Sequence, residues 1–150
     1  MKSFLISILI LAFTSTAQSQ TTEDSVKATV NKLFTAMKNS DADLLRSCFG
    51  DSAVLQTISK NKQGALVVLN ESINDFAKSI STAPKGALDE RITFDNIKID
   101  ASLASVWTPY SFYYNGNFSH CGVNSFLLIR TNEGWKIQYI IDTRRKTGCL

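Results

Sequence analysis

The stretch that decides the fold runs from residue 106 to residue 145 and reads VWTPYSFYYNGNFSHCGVNSFLLIRTNEGWKIQYIIDTRR. It contains three segments rich in Val, Ile, Phe, Tyr and Trp, the residue types that suit a pleated, half-buried strand. Asn115-Gly116 separates the first two segments, and Asn132-Glu133-Gly134 separates the second from the third. Asn-Gly is a strong signal of a two-residue hairpin, and a three-residue loop ending in Gly also joins antiparallel strands. The sequence therefore predicts a meander of three antiparallel strands.

These two turns also predict which residues face each other across the strands. A two-residue first loop places Ser111 opposite His120 and Trp107 opposite Asn124, and a three-residue second loop places Asn124 opposite Asp142. Residues that face each other share one face of the sheet, and side chains alternate between the faces. One predicted face then collects mostly polar side chains: Trp107, Ser111, His120, Asn124, Asp142 and Arg144. The other face collects apolar ones: Val106, Tyr110, Phe112, Val123, Leu127, Ile129, Ile137, Tyr139 and Ile141.

Helical patterns dominate the first half of the chain. Thr21 and Asp24 have the pattern of a capping box, and apolar residues follow them at helical spacing. Two shorter helical patterns come later, with Ser40 (paired with Asp43) and Asn70 as their candidate N-caps. The sequence therefore predicts three helices.

Strand patterns fill most of the remaining chain before the meander. A short strand is predicted at residues 53–58. Residues 88–99 alternate between apolar and polar positions, and the alternation changes phase at Asp95-Asn96, which predicts a bulge or bend in a long strand. The positions that share the apolar phase before this change are Leu88, Glu90, Ile92 and Phe94.

The order of these elements predicts the fold class. Helices come first and long strands last, which is typical of an α+β fold with helices on one side of a curved antiparallel sheet. A chain of 150 residues is long enough for one such domain with a real core. A curved sheet beneath helices encloses a concave space, which is a natural site for a small molecule.

The first residues have the pattern of a secretory signal peptide. A positive start at Met1-Lys2 precedes an apolar run too short to span a bilayer, and small residues end the segment at Ser19. The sequence therefore predicts a signal peptide at residues 1–19 and a single domain at residues 20–150. We expect the mature protein to be periplasmic or secreted, without a membrane segment. The sequence has no stripe of Lys and Arg residues, so we expect no nucleic-acid partner.

The cysteines and the histidine limit the chemistry of the chain. Cys48, Cys121 and Cys149 are an odd number, so a disulfide between two of them leaves the third free or paired between chains. Cys149 could pair with either of the others. We expect no metal site, because the chain has a single histidine and no CxxC motif.

The sequence resembles the nuclear transport factor 2-like (NTF2-like) superfamily, which includes the SnoaL-like proteins. The resemblance covers nearly all of the mature chain, from VKATVNKLFTAMKNSDADLLRSCFGDSAVL near its start to EGWKIQYIIDTRR near its end. Within the superfamily, the segment VWTPYSFYYNGNFSHCGVNSFLLI (residues 106–129) is similar to an exported, lumazine-binding group, and Phe118-Ser119-His120-Cys121-Gly122 is its more specific part. The resemblance implies a cone-shaped fold, a pocket between sheet and helices, and often a homodimer across the sheet. It implies no particular reaction, because this fold carries enzymes, binding domains and adaptors.

His120 and Asp142 are the candidate catalytic residues. Histidine titrates near neutral pH, and an acid beside it could orient the ring as a general base. The alternative is a buried histidine that bonds the backbone. Arg144 could hold a carboxylate or phosphate of a ligand, or it could form an ordinary ion pair with Asp142. The candidate ligand-binding residues are Trp107, Ser111, Tyr113, His120, Asn124, Asp142 and Arg144; the aromatic ones could equally be core or interface residues.

These observations favour an exported protein that binds a small organic molecule, planar or anionic, without a cofactor. One alternative is a cofactor-independent isomerase, dehydratase or cyclase that uses His120 and Asp142. A second alternative is a module whose sheet serves for dimerisation or for docking a partner.

Overall fold

A computed structural model describes residues 21–149, and the predicted signal peptide at residues 1–19 lies outside them. These residues contain three helices: α1 (Thr22–Asn39), α2 (Ala42–Arg46) and α3 (Ile73–Thr82). The predicted capping box of α1 is confirmed, because the Thr21 side chain accepts the backbone N–H of Asp24 and the Asp24 side chain accepts that of Thr21. None of the helices in this part of the chain is long and apolar enough to cross a membrane.

The other two predicted N-caps were wrong. Ser40 ends α1 in a left-handed conformation (φ 57°), and Asp41 caps α2 instead. Asn70 lies in a strand, and Ser72 caps α3. In both cases several polar residues stand in a row, and packing of the following helix decides which of them becomes the cap.

In the part of the chain that the structure describes, seven strands form one curved sheet. They are β1 (Phe49–Lys60), β2 (Leu66–Glu71), β3 (Leu88–Ile92), β4 (Asn96–Asp100), β5 (Leu103–Tyr114), β6 (Asn117–Thr131) and β7 (Gly134–Arg145). The order is β2-β1-β7-β6-β5-β3, and β4 pairs with β5 beyond the end of β3. Only β1 and β7 run parallel among these pairs. The predicted α+β class is confirmed, but the long strand predicted at residues 88–99 is two strands, both alongside β5.

The helices cover one face of the sheet, which we call the inner face, and the core lies between them. The buried apolar side chains come from α1, α2, α3 and from alternate positions of the strands; the largest fully buried ones are Phe126, Leu33, Leu45, Ile80, Leu128, Ile137, Val26 and Val30. Within residues 21–149, no helix covers the opposite, outer face, which exposes Leu103, Trp107 and Leu127. Amphipathic helices thus bury the inner face, and the outer face stays open along the middle strands.

A bulge in the first hairpin changes the predicted register. Tyr114 pairs with Asn117 as the two-residue loop requires, but the pairing then jumps from Tyr113–Phe118 to Phe112–His120. Ser119 is the extra residue, so every position beyond it changes face relative to the prediction. Tyr110, Phe112 and Val106 therefore lie on the inner face, where the prediction placed Ser111 and Trp107.

A second bulge restores the register of the other hairpin. Thr131 pairs with Gly134, which was not predicted, and the extra residue Gln138 shifts the pairing by one farther along. Asn124 consequently lies opposite Asp142, as the sequence predicted. The two errors in this hairpin cancel, whereas the single bulge in the first hairpin has no compensation before its strands end.

A disulfide joins Cys121 of β6 to Cys149, and Cys48 is buried and free. The bond ties the chain end to the middle of the sheet. Burial raises the pKa of the Cys48 thiol, which keeps it in the unreactive protonated form.

Candidate functional site

A cavity of about 260 Å³ lies between α1, α3 and the inner face of the sheet. Its apolar lining comes from helices and strands: Leu33, Phe34, Met37, Phe49, Leu55, Phe76, Ile80, Leu88, Phe112 and Ile140. Its polar lining comes almost entirely from strands: Gln56, Thr57, Glu71, Ser79, Glu90, Tyr110, His120, Asn124, Asp142 and Arg144. The cavity therefore has an apolar half toward the helices and a polar half on the sheet.

Asp142 is the centre of the polar half. It is 8% exposed, and one of its carboxylate oxygens accepts the hydroxyl of Thr57 on the neighbouring strand β1. The other oxygen lies 3.0 Å from Nε of Arg144 and 3.1 Å from the hydroxyl of Tyr110. Arg144 also donates from Nη2 to Oγ1 of Thr57 at 3.2 Å. A charge-assisted network of this kind fixes the carboxylate in one orientation.

Tyr110 reaches this network through a gap in the sheet. Its hydroxyl lies 2.9 Å from the backbone oxygen of Thr143 as well as 3.1 Å from Asp142, and its single proton can be given to only one of them at a time. A β carbon at Gly122 would lie 1.7 Å from that backbone oxygen and 2.8 Å from the phenolic oxygen. Burial raises the pKa of Tyr110, and the negative charge of Asp142 raises it further, so the phenol stays protonated.

Glu90 and Asn124 form the second polar pair of the cavity. Asn124 is 4% exposed and donates from Nδ2 to Oε1 of Glu90 at 2.8 Å. Burial raises the pKa of Glu90 to about 7, and the hydrogen bond from Asn124 offsets only part of this rise. Among residues 21–149, no Lys or Arg forms an ion pair with Glu90. Glu90 can therefore hold or release a proton at neutral pH.

His120 lies between two aromatic rings at the edge of the cavity. Its ring centroid is 5.7 Å from that of Tyr110 and 5.0 Å from that of Phe112. Nδ1 lies 3.1 Å from Oγ of Ser119, and within the described residues the ring makes no hydrogen bond to Asp142. Burial lowers the pKa of His120, and the positive charge of Arg144 lowers it further, so the ring is neutral at pH 7.

The structure brings four of the seven candidate ligand-binding residues together. His120, Asn124, Asp142 and Arg144 all line the cavity. The other three, Trp107, Ser111 and Tyr113, do not line it, because the bulge at Ser119 reverses the face of the first two and Tyr113 packs on the ring of Phe118. The predicted placement of Trp107 and Ser111 on one face with His120 was wrong.

Sequence reasoning missed Glu90 and Tyr110 as site residues. Glu90 carried a usable signal, since it occupies the apolar phase of its strand between Leu88 and Ile92. A carboxylate at such a position points into the core or into a cavity. Tyr110 had no such signal in the sequence, because the face on which it lies depends on the bulge at Ser119, and the turn residues do not indicate that bulge.

The carboxylates of the site are not grouped as metal ligands. Within residues 21–149, no three His, Cys, Asp or Glu side chains lie close enough together to hold a metal ion. The cavity can instead accept an apolar body against the helices, and it can exchange hydrogen bonds and a proton with polar groups of that body at the sheet.

Comparison with solved structures shows the fold of this chain. A protein of unknown function from Shewanella baltica, described as NTF2-like, is 13% identical with a TM-score of 0.66, covering 83% of this chain and 94% of its own. An NTF2-like protein of unknown function from Methylobacillus flagellatus is 19% identical with a TM-score of 0.65, covering 87% and 98%. A candidate dehydratase of the NTF2-like family from Streptomyces avermitilis is 15% identical with a TM-score of 0.59, covering 81% and 94%.

These similarities establish an NTF2-like fold, as the sequence predicted. Identities of this size carry the fold alone, and the fold serves both ligand binding and isomerase or dehydratase chemistry. The sequence matches no protein-family model, and the search of curated proteins found no significant relative.

Proposed function

We propose that the mature protein is exported and binds a small organic molecule in the cavity. The observation that carries this proposal is the unfilled space of about 260 Å³ between an apolar helix side and a polar sheet side. Pockets that bury drug-sized ligands measure roughly 300–1,000 Å³, so this one suits a smaller molecule. Export remains a prediction from the signal-peptide pattern of residues 1–19.

The lining favours a ligand with a flat body. Phenylalanine rings enter the cavity from three directions, since Phe34 belongs to α1, Phe76 to α3 and Phe112 to β5. Aromatic walls bind flat rings well through stacked and edge-to-face contacts. A bicyclic heterocycle, as the lumazine-binding resemblance implies, is one member of this class.

Native mass spectrometry of protein purified from its own host tests the proposal. We expect a retained small molecule that is absent after denaturation. Ser79→Trp places an indole at the cavity, and the matched variant Ser81→Trp places one on the exposed side of the same helix. Loss of the ligand from the first variant alone supports the cavity as the site. Retention by both would place the ligand elsewhere.

A cofactor-independent isomerase or dehydratase is the second candidate, and Glu90 is the observation that favours it. A carboxyl with a pKa of about 7 suits a general base that takes a proton from carbon and returns it. If Ser119 donates to Nδ1 of His120, the other ring nitrogen carries a proton that can stabilise an enolate oxygen. The predicted pair of His120 as base and Asp142 as orienter is less suited, because no hydrogen bond joins them.

Deuterium exchange tests this enzymatic alternative. The protein in D₂O is incubated with cyclohexanone or acetophenone, and NMR follows deuterium at the carbon beside the carbonyl. We expect exchange above the buffer rate, which Glu90→Gln abolishes and Glu133→Gln leaves unchanged. Exchange that survives Glu90→Gln would remove Glu90 from the role.

We also propose that the outer face of the sheet pairs two copies of the chain. Leu103, Trp107 and Leu127 expose 48%, 46% and 38% of their surface on neighbouring strands, without a helix over them. Sedimentation velocity should show a dimer that Trp107→Glu with Leu127→Glu dissociates. Leu66→Glu, on the edge strand β2, serves as control, and a monomeric wild-type protein would contradict the proposal.

A further inference from the structure

We propose that the ligand of the cavity carries a protonated amine, which Glu90 binds as an ion pair while the aromatic walls hold the rest of the molecule. This inference rests on the proposed binding function and adds to it the charge of the ligand. It departs from the prediction of an anionic ligand, which rested on Arg144 as a residue that could bind a carboxylate or phosphate.

The charges of the lining favour a cation. Three carboxylic acids line the cavity, from Glu71, Glu90 and Asp142, against the single guanidinium of Arg144. The guanidinium already bonds Asp142 through Nε and Thr57 through Nη2. An anionic ligand would compete with Asp142 for Arg144 and would face two further acids, so like charges oppose its binding.

Of the three lining acids, Glu71 and Glu90 form no ion pair within the described residues, and Glu71 is exposed whereas Glu90 is half-buried. Oε1 of Glu90 accepts the amide of Asn124, which leaves Oε2 for a ligand. Ionising a carboxyl in such a site is costly unless an opposite charge approaches it. An ammonium group supplies that charge together with three hydrogen-bond donors.

The side chains around Glu90 leave the place of its positively charged partner to a ligand. The titratable groups that line the cavity with it are Glu71, Tyr110, His120, Asp142 and Arg144. The packed helices contribute no titratable group to the lining: α1 provides Leu33, Phe34 and Met37, and α3 provides Phe76, Ser79 and Ile80. No cationic side chain therefore approaches Glu90 from the helix side of the cavity.

The aromatic lining suits an ammonium group better than a metal ion. Rings of Phe34, Phe76 and Phe112 border the space, and the faces of such rings attract organic cations. The described acids are not grouped for metal coordination, as shown above. An aryl-alkyl amine combines a flat body for the rings with one positive charge for Glu90.

Binding of an amine in this way is linked to pH. Glu90 has a pKa of about 7 in the free protein, and a bound cation lowers it, so a protonated Glu90 must release its proton on binding. Affinity should therefore rise about tenfold per pH unit below pH 7 and level off above it. Amines with a pKa above 9 stay charged throughout this range.

Calorimetry with three matched probes tests the inference on the full mature chain. Benzylamine, benzyl alcohol and benzoate share one ring and differ in charge. At pH 8 we expect benzylamine to bind at least tenfold more tightly than either of the others. We expect it to bind about tenfold more weakly at pH 6 than at pH 8. Glu90→Gln should abolish both differences, whereas Glu133→Gln, which alters an exposed carboxylate, should leave both intact.

Each of the following results would contradict the inference that the ligand is a protonated amine. Equal or tighter binding of benzyl alcohol or benzoate shows a binding cavity with a different ligand class, so the proposed function survives and this inference fails. Benzylamine binding that Glu90→Gln does not weaken assigns the charge to another acid. Failure of all three probes to bind at millimolar concentration also counts against the inference, and the retained-ligand experiment then decides the proposed function separately.

Discussion

Tyr110 packs so closely against Gly122 that a β carbon at position 122 would lie 2.8 Å from the phenolic oxygen. The glycine leaves the gap through which the phenol crosses from β5 to Asp142 on β7. The hydrogen bond between Tyr110 and Asp142 in the polar half of the cavity thus requires glycine at position 122.

Gly122→Ala should displace Tyr110 and destabilise the protein. The new methyl group would meet the backbone oxygen of Thr143, and overpacking of this kind costs typically about 1–3 kcal/mol. Urea denaturation of Gly122→Ala, Tyr110→Phe and the double variant measures the effect. Once the alanine has displaced the phenol, loss of the hydroxyl should cost little, so the two losses should not add. Full additivity would show that Tyr110 keeps its hydrogen bonds beside the alanine.

Glu90→Gln should stabilise the protein at alkaline pH. The folded-state pKa of Glu90 is raised from 4.5 to about 7, so the folded state binds more protons than the unfolded state between these values. Wild-type stability therefore falls as pH rises through this window, whereas the variant lacks this contribution. One pKa unit corresponds to about 1.4 kcal/mol, and allowing for partial solvent access we expect a difference of about 1–3 kcal/mol at pH 8. Parallel pH profiles of the two proteins would contradict a raised pKa.

Arg144→Gln should raise the pKa of His120. Burial lowers this pKa most, and the positive charge of Arg144 is the next cause, so removing that charge makes protonation of the ring easier. NMR titration of the only histidine measures the change directly. Arg145→Gln is the matched control, because Arg145 belongs to the opposite face of β7 and should leave the titration unchanged. Equal titration curves for Arg144→Gln and wild type would show that Arg144 does not act on the ring.

The disulfide predicts which cysteines react. Without reductant, alkylation of the denatured protein should label Cys48 alone, because Cys121 is bonded to Cys149. Cys149→Ser should lower the free energy of unfolding by about 2–4 kcal/mol, since the bond closes a loop of the unfolded chain. Mass spectrometry of the labelled peptides and urea denaturation give the two readouts. Labelling of Cys121 in the unreduced wild type would contradict the pairing.

The two hairpins of the meander were predicted correctly, but the side chains that share each face of its first hairpin were not. Both hairpins occur where Asn115-Gly116 and the Asn-Glu-Gly segment indicated, because a turn depends on the few residues that compose it. The partners of His120 were wrong by one residue, because Ser119 is added to one strand only. A bulge of this kind gains its stability from the packing of both faces, which no local pattern contains.

Some residues of the candidate site were likewise predicted from the sequence, and others were not. Asn124 and Asp142 were placed together because the bulge at Gln138 offsets the loop error, and they do line the cavity. Glu90 was absent from the candidates although its apolar-phase position indicated an inward carboxylate. Its pairing with Asn124 crosses from β3 to β6, two strands that do not adjoin in the sheet, so only the curvature of the assembled sheet brings them together.

The sequence by itself determined the α+β class, the succession of helices before long strands and the places of the meander turns, because hydrophobic periodicity and turn chemistry act over a few neighbouring residues. The tertiary structure alone decided which face each side chain of β5 occupies, that Glu90 enters the cavity without an ion pair among the described residues, and that Cys149 pairs with Cys121. Those outcomes depend on contacts between residues distant in the chain, where one extra residue in a strand reverses every side chain beyond it.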